Sequence, residues 1–452
     1  MKESSQPGTG EYGRPAGAAP GWARLGEVLR GLDWALRTET YRLTAGRGLE
    51  PWLQEGAADD PLFHLLHLGA SSVAPPPELA AALAASGLLA DRDDAEQAGT
   101  HRTKDHYFTA FRGLLTVADR HDRPARSGVY LGEDGLTFTD RLLSVHAGGT
   151  ALDIGSGSGL TTSALAARGL HTTAIDISPA CVAATAATAA LNGLAHRVEA
   201  VTADATAALE GSGRYDFIAS NPPGVVVPDS LAYGPGGNGG PDGLDVVRAV
   251  TANAPRMLRD GGVLLMRFES AGDERGPAAL AEIFDHAGDS SVLVTVQASL
   301  PMRTRSGLTA LRAAAHNPGL SAAELLRRLD AHTDALGACR FYTSFLLLRR
   351  DGRARREVRD LSGVLPGRTR GGANRPEPPA EDASRLPPGV AGLDWEGHLR
   401  LVRERWDEAV LAARRHGDPD AVVAEVFGDA VERDPVHSRS LHAFLSALPG
   451  MP

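Results

Sequence analysis

The chain is poor in cysteine: Cys181 and Cys339 are its only two in 452 residues, and there is no C-x-x-C pair. That excludes a disulfide framework and suits a reducing, cytoplasmic compartment. Long apolar runs are also missing. None approaches the ~20 residues that a helix needs to cross a bilayer. The first twenty residues are polar and rich in glycine and proline, without an apolar core, so a disordered tail is expected there rather than a signal peptide. Excess positive charge is absent: the formal net charge is −10. A globally acidic protein has no long-range attraction for a phosphate backbone, so nucleic acid is disfavoured as a partner. His64 and His67 stand three residues apart on an apolar stretch with no third ligand nearby. Packing explains them, and no metal site is expected.

What is present begins at GGTALDI (148–154), a short apolar run that breaks into Gly155-Ser156-Gly157-Ser158-Gly159 and then a helix-compatible run, Leu160–Arg168. Strand, glycine turn and helix start together form a cradle in which the backbone approaches a ligand closely. A second strand, HTTAID (171–176), ends in Asp176. An acid about 20 residues past such a turn can accept both hydroxyls of a ribose. A helix at Pro179–Asn192 and a third strand, Arg197–Thr202, lead to Asp204. A fourth strand, YDFIAS (215–220), runs into Asn221-Pro222-Pro223-Gly224.

This order resembles the class I S-adenosylmethionine-dependent methyltransferases, in which DIGSGSG is the first motif. The resemblance implies S-adenosylmethionine as cofactor. Asp153, Gly155, Ser156, Gly157 and Gly159 would lie along its methionine and backbone side, Asp176 and Ile177 at the ribose, Asp204 and Ala205 near the adenine, and Asn221 at the reacting end. The Asn-Pro-Pro turn resembles that of enzymes that methylate planar nitrogens. An amide nitrogen has a delocalised lone pair and is a poor nucleophile. The Asn221 side-chain oxygen and the Pro222 carbonyl can each accept one N–H, while Pro222 and Pro223 restrict the backbone so that these carbonyls stay aimed. Downstream, GGPDGLDVVRAVTANAPRMLRDGG (239–262) followed by VLLMRFE resembles the family that methylates the glutamine amide of peptide release factors. The likeness covers residues 148–270 and departs at Gly224, where an aromatic residue is usual. Tyr130, Tyr233 and Tyr107 are candidates for a ring that replaces it.

The fold expected is α/β: a doubly wound, seven-stranded Rossmann-like methyltransferase sheet, with a mainly helical N-terminal domain and a helical C-terminal appendage. The divisions are a tail (1–20), a helical domain, winged-helix-like in pattern (21–100), a linking hairpin and cofactor-covering segment (101–147), the methyltransferase domain (148–350), a linker (351–390) and a helical end (391–452). Strands and turns are expected from Tyr107 to Leu143, with Tyr130, Glu133 and Asp134 facing the cofactor or forming a plain turn. The sixth and seventh strands are expected at 291–299 and 341–350, the last antiparallel. Between them an insertion carries Arg303, Arg305 and a helix capped by Ser321, and could line the substrate entrance. The basic stretch 349–360 reads as a solvated helix, with an anion- or RNA-binding strip as the alternative.

The function expected is methyl transfer to an amide or amino nitrogen of a peptide, protein side chain or biosynthetic intermediate. An RNA base N-methyltransferase, an O-methyltransferase of a natural-product intermediate and a non-catalytic cofactor-binding regulator remain as alternatives. The acceptor is a small molecule, peptide or protein, no membrane is involved, and the helical end would pack on the core or on a second subunit in a homodimer.

Overall fold

The computed structural model describes residues 21–38, 60–67, 70–89, 101–103, 106–119, 128–145, 148–209, 215–314 and 316–362. The tail at 1–20, the linker beyond 362 and the helical segment 391–452 lie outside the described residues.

Helices Trp22–Gly31, Pro61–Leu66 and Pro77–Ala85 open the chain, with a two-residue pairing of β1 (Ala70–Ser71) and β2 (His101–Arg102). A hairpin follows, of β3 (His106–Phe111) and β4 (Leu114–Asp119). Its two-residue turn has Arg112 at φ 52° and Gly113 at φ 77°. Two positive φ values in succession match the right-handed twist of the flanking strands. The hairpin docks through Asn192, whose side chain accepts from the Leu115 N–H at 2.9 Å and donates to the Leu115 carbonyl at 2.7 Å. One apolar core joins Trp22, Leu25, Phe63, Tyr107 and Phe108 to Cys181 and Leu191. The N-terminal helices and hairpin thus pack directly on helix Pro179–Leu191.

The sheet begins with β5 (Thr150–Ile154), β6 (His171–Asp176), β7 (Val198–Thr202) and β8 (Tyr215–Ser220). It continues through β9 (Leu258–Asp273), the two-residue β10 (Gly276–Pro277), β11 (Ser291–Pro301), β12 (Arg340–Arg349) and β13 (Arg356–Asp360). The order is β13-β11-β12-β9-β8-β5-β6-β7, with β10 paired to β9. β5 to β9 run parallel, and β12 is antiparallel to both β9 and β11, as expected for the last of seven strands. Leu152, Ile154, Ile175 and Ile218 are at most 1 % exposed, the burial that helices on both faces of a parallel sheet impose. Helix Pro179–Leu191 starts at the Ser178 cap and helix Ala322–Ala335 at the Ser321 cap, each hydroxyl accepting from the third residue on.

Three expectations are corrected. Residues 133–143 form a helix, not strands and turns. Leu136-Thr137-Phe138-Thr139 alternates like a strand, but Thr139 is fully buried, with its hydroxyl 3.3 Å from that of Thr161, so the period of two is accidental. The insertion after β11 holds a second helix, Met302–Ala314, besides the expected one. The basic stretch is not a helix: Arg356–Asp360 is edge strand β13, parallel to β11, and adds to the seven expected strands. Its alternating charges face solvent on an edge, where charge discourages pairing with another chain. The Arg356 guanidinium ties that edge down by donating to the Phe284, Gly288 and Ser290 carbonyls.

Gly26 is where the N-terminal helix touches the methyltransferase core. A Cβ there would stand 2.0 Å from the Leu191 carbonyl oxygen, which also accepts from Arg30 Nη1 at 2.6 Å. Backbone cannot yield cheaply, so Gly26→Ala is expected to destabilise the protein by about 1–3 kcal/mol. A melting temperature at or above the wild-type value would contradict this packing.

Candidate active site

The glycine turn lies at the carboxyl end of β5 and is tied on three sides. The Gly155 and Ser156 N–H groups donate to the Ile175 carbonyl at 2.9 and 3.2 Å, and the Gly157 N–H donates to Asp176 Oδ2 at 3.0 Å. From helix Pro179–Leu191, the Thr185 hydroxyl bonds Ser156 Oγ at 2.9 Å and the Thr188 hydroxyl donates to the Ser158 carbonyl at 2.7 Å. Gly155, Gly157 and Gly159 all have positive φ, for two different reasons. At Gly159 a Cβ would meet Thr185 Cα at 2.5 Å, so glycine permits close helix packing. At Gly155 a Cβ would meet nothing within 4 Å, so the backbone there faces open space that a ligand can enter.

Asp153 sits behind the turn, 1 % exposed, and accepts from the Thr162 hydroxyl at 2.5 Å. Burial pushes its carboxyl up from the ordinary 3.8 to about 7; the Thr162 hydrogen bond opposes the shift and the nearby Asp176 adds to it. Asp176, at the end of β6, accepts from the Gly157 and Ser178 N–H groups, one on each oxygen. Burial raises its pKa, against those two bonds. Ile177 follows, with 60 % of its surface exposed, an unusual position for a large apolar side chain. Asp204 caps the short helix Ala205–Ala208 by accepting from the Thr206 N–H and hydroxyl through Oδ1.

The Asn-Pro-Pro turn stands beside the glycine turn. β5 and β8 are neighbours in register, with Ile154 opposite Ser220, so Gly155 and Asn221 emerge side by side. The chain leaves β5 towards β6 and leaves β8 towards β9, on opposite sides. Such a reversal opens a crevice at the carboxyl ends of an open α/β sheet.

Around Asn221 the structure brings together charges from three elements. Asn221 Nδ2 donates to Asp134 Oδ2 at 2.9 Å, from the first turn of helix Glu133–Leu143, and Arg267 Nη1 donates to Asn221 Oδ1 at 3.4 Å. Arg267 and Glu269 alternate on β9 and pair at 3.1 Å. Arg305 of helix Met302–Ala314 pairs with the other Glu269 oxygen at 2.9 Å. Burial opposes ionisation of Glu269, but the Arg305 and Arg267 guanidiniums overcome it and hold the carboxyl below its ordinary value. Gly224 packs on this cluster: a Cβ there would lie 2.8 Å from Glu269 Cβ, so the turn cannot carry a ring in this arrangement.

The three tyrosines divide. Tyr107 is 1 % exposed, with its hydroxyl donating to the Leu131 carbonyl, and belongs to the wall. Tyr130 keeps 44 % exposure while burial of its hydroxyl and the adjacent Asp134 raise its pKa well above the ordinary value. Tyr233 has a buried hydroxyl beside Arg312 and a ring 6.1 Å from that of His316. The G-P-D-G-L-D-x-x-R segment is a brace: Arg248 bonds both Asp242 and Glu282, and a Cβ on Gly243 would meet the Gly224 carbonyl at 2.8 Å. Arg303 pairs with Asp330 and Asp334 on the surface and takes no part in the site. Sequence reasoning missed Arg267, Glu269 and Arg312. The signal was there in VLLMRFE, where two charged residues interrupt an otherwise apolar central strand. A cleft of about 620 Å³ lined by Asp242, Arg248, Asp273 and Glu282 borders this brace and contains no residue of the glycine turn or the Asn-Pro-Pro turn.

A glycine turn and an Asn-Pro-Pro turn side by side on this sheet define a class I S-adenosylmethionine-dependent methyltransferase. Residues 137–288 match the family model of the methyltransferase small domain. The chain is 33% identical over 269 residues to a release factor glutamine methyltransferase of Cereibacter sphaeroides, covering 55% of this chain and 88% of the relative. It is 30% identical over 252 residues to a ribosomal protein uL3 glutamine methyltransferase of Xylella fastidiosa, covering 51% and 76%. A ribosomal RNA small subunit methyltransferase C of Klebsiella pneumoniae is 34% identical over 142 residues, covering 31% and 36%. The chain belongs to the S-adenosylmethionine-dependent methyltransferase family that includes the release factor glutamine methyltransferases.

The raised carboxyl of Asp153 has a pH signature. The folded state holds a proton that the unfolded chain releases, so the stabilising contribution is complete below pH 3.8 and is lost as pH rises through about 7. Three pKa units correspond to about 4 kcal/mol. Asp153→Asn still accepts from Thr162 but cannot ionise. Its melting temperature is expected to fall less than that of the wild type between pH 5 and pH 8. Equal slopes for the two proteins would assign the titration elsewhere.

Proposed function

We propose that the protein transfers the methyl group of S-adenosylmethionine to a side-chain amide nitrogen of a peptide or protein. The observation that carries this reading is the Asn221-Pro222-Pro223 turn, held on the strand next to the glycine turn at the same carboxyl end of the sheet. Gly155, Ser156 and Gly157 would hold the methionine part of the donor, and Asp176 and Ile177 the ribose. Asp204 and Ala205 would face the adenine, and Asp153 would brace the turn through Thr162. The fit is chemical: ionised carboxylates are pure acceptors with lone pairs to spare for hydroxyl and amino hydrogens, and Gly155 opens on free space. When bound, the donor supplies a methyl group made electrophilic by its sulfonium.

The protein's own part is orientation. Asn221 Oδ1 and the Pro222 carbonyl each accept one N–H of the acceptor amide and turn its nitrogen towards the methyl. Asp134, holding Nδ2, sets which way the Asn221 amide faces, and the prolines keep the backbone rigid. Positioning of this kind lowers a barrier by on the order of 7–11 kcal/mol without a strong base. The relatives named for glutamine methylation support an amide acceptor. An RNA acceptor has less support, because the basic stretch 349–360 runs into edge strand β13, four strands from β8.

Asn221→Ala tests the reading. Affinity for S-adenosylhomocysteine is expected to stay within about twofold, while transfer of labelled methyl to a release factor or a glutamine peptide falls by about 10²–10³. Transfer within a few-fold of wild type would remove Asn221 from the mechanism.

A further inference from the structure

The acceptor side of the turn carries more positive charge than it neutralises. Arg267, Arg305 and Arg312 face Glu269 and Asp134, three cations against two carboxylates. Glu269 is shared by Arg267 and Arg305, whose side chains are 13% and 12% exposed. Arg312 has no ion pair within 4 Å among the described residues; its neighbours are the Tyr233 and Tyr130 hydroxyls, with Glu269 close enough to be felt electrostatically. Arg305 Nε and Arg312 Nε are buried without a hydrogen-bond partner among the described residues. An unpaired buried cation is costly, and buried charges in proteins are normally paired. Arg305 is also held flat, its guanidinium 4.4 Å over the Phe341 ring. A guanidinium fork in a fixed plane is suited to a carboxylate.

Resting on the amide-methylation reading, we propose that the acceptor carries a carboxylate near its reacting amide, received by Arg312 and Arg305 on the Gly224 side of the Asn-Pro-Pro turn. Both arginines stand on helix Met302–Ala314, on the β9 side of the Asn-Pro-Pro turn, whereas the glycine turn and Asp176 lie on the β5–β6 side. On the placement of Arg305 against β9 the anion is assigned to the acceptor and not to the methionine carboxylate of the donor. Discrimination comes from charge and planarity where a ring would offer stacking alone.

The test uses the full chain and acetylated pentapeptides centred on glutamine. In each pair one neighbour is Asp or Glu and its counterpart is Asn or Gln. Acid-bearing peptides are expected to be methylated at least tenfold faster than their neutral counterparts. Arg312→Gln is expected to abolish that preference and Arg312→Lys to keep part of it. Because Arg312→Gln removes an uncompensated buried cation, its melting temperature should equal or exceed the wild-type value. S-Adenosylhomocysteine affinity should be unchanged; a loss there would assign the anion to the donor and overturn the inference. Methylation without acid preference also overturns it and leaves amide methylation intact. Peptide binding in the presence of S-adenosylhomocysteine separates the remaining cases. Acid-dependent binding without methylation supports the arginine subsite and retires the amide reading, whereas no acid dependence in either assay sinks the subsite.

Discussion

The pairing of two parallel strands, β5 and β8, is the constraint on which the site depends. Their register puts Ile154 opposite Ser220, so two turns of different chemistry leave the sheet at one level. One turn is glycine-rich and lets a ligand approach the backbone. The other is proline-stiffened and aims carbonyl oxygens. Because the chain departs in opposite directions after these strands, neither following helix covers the crevice between them. The helices instead brace the turns from behind, through Thr162, Thr185 and Thr188 on one side and Arg248 and Gly243 on the other.

Glu269, Arg267 and Arg305 form the second level of support, and it is an expensive one. Ion pairs taken out of water lose much of their hydration, and their mutual attraction repays this only when the geometry and the remaining hydrogen bonds are good. Here one carboxylate serves two guanidiniums, one of which also reaches Asn221. A stable fold needs no such cluster at the end of a central strand, where an apolar residue would pack at lower cost. Its place against Gly224 sets charge, and no ring, directly beside the Asn-Pro-Pro turn.

Much of the sheet was legible before any coordinates. β6 and β8 begin and end at the residues expected, and β5, β7, β11 and β12 within about two residues. Buried parallel strands are short apolar runs bounded by glycine, proline and acids, and these signals are strong here. Legibility failed where one local pattern serves two structures. Leu136 to Thr139 alternates like a strand, yet lies on a helix that buries a threonine. Arg356 to Asp360 alternates in charge like a solvated helix, yet forms an exposed edge strand. Of the site, the residues contributed by contiguous motifs could be read directly. Asp134, the Arg267–Glu269 pair and Arg312 come from three distant places in the chain, and only the fold reveals that they meet.

The central claim is that donor and acceptor meet between the two turns. A crystal structure with S-adenosylhomocysteine tests it most directly. The account predicts the ribose hydroxyls on Asp176 and the sulfur facing the Asn221 side chain across the β5–β8 crevice. Adenosyl density in the cleft between Arg248, Asp273 and Glu282, or a sulfur turned away from Asn221, would contradict it.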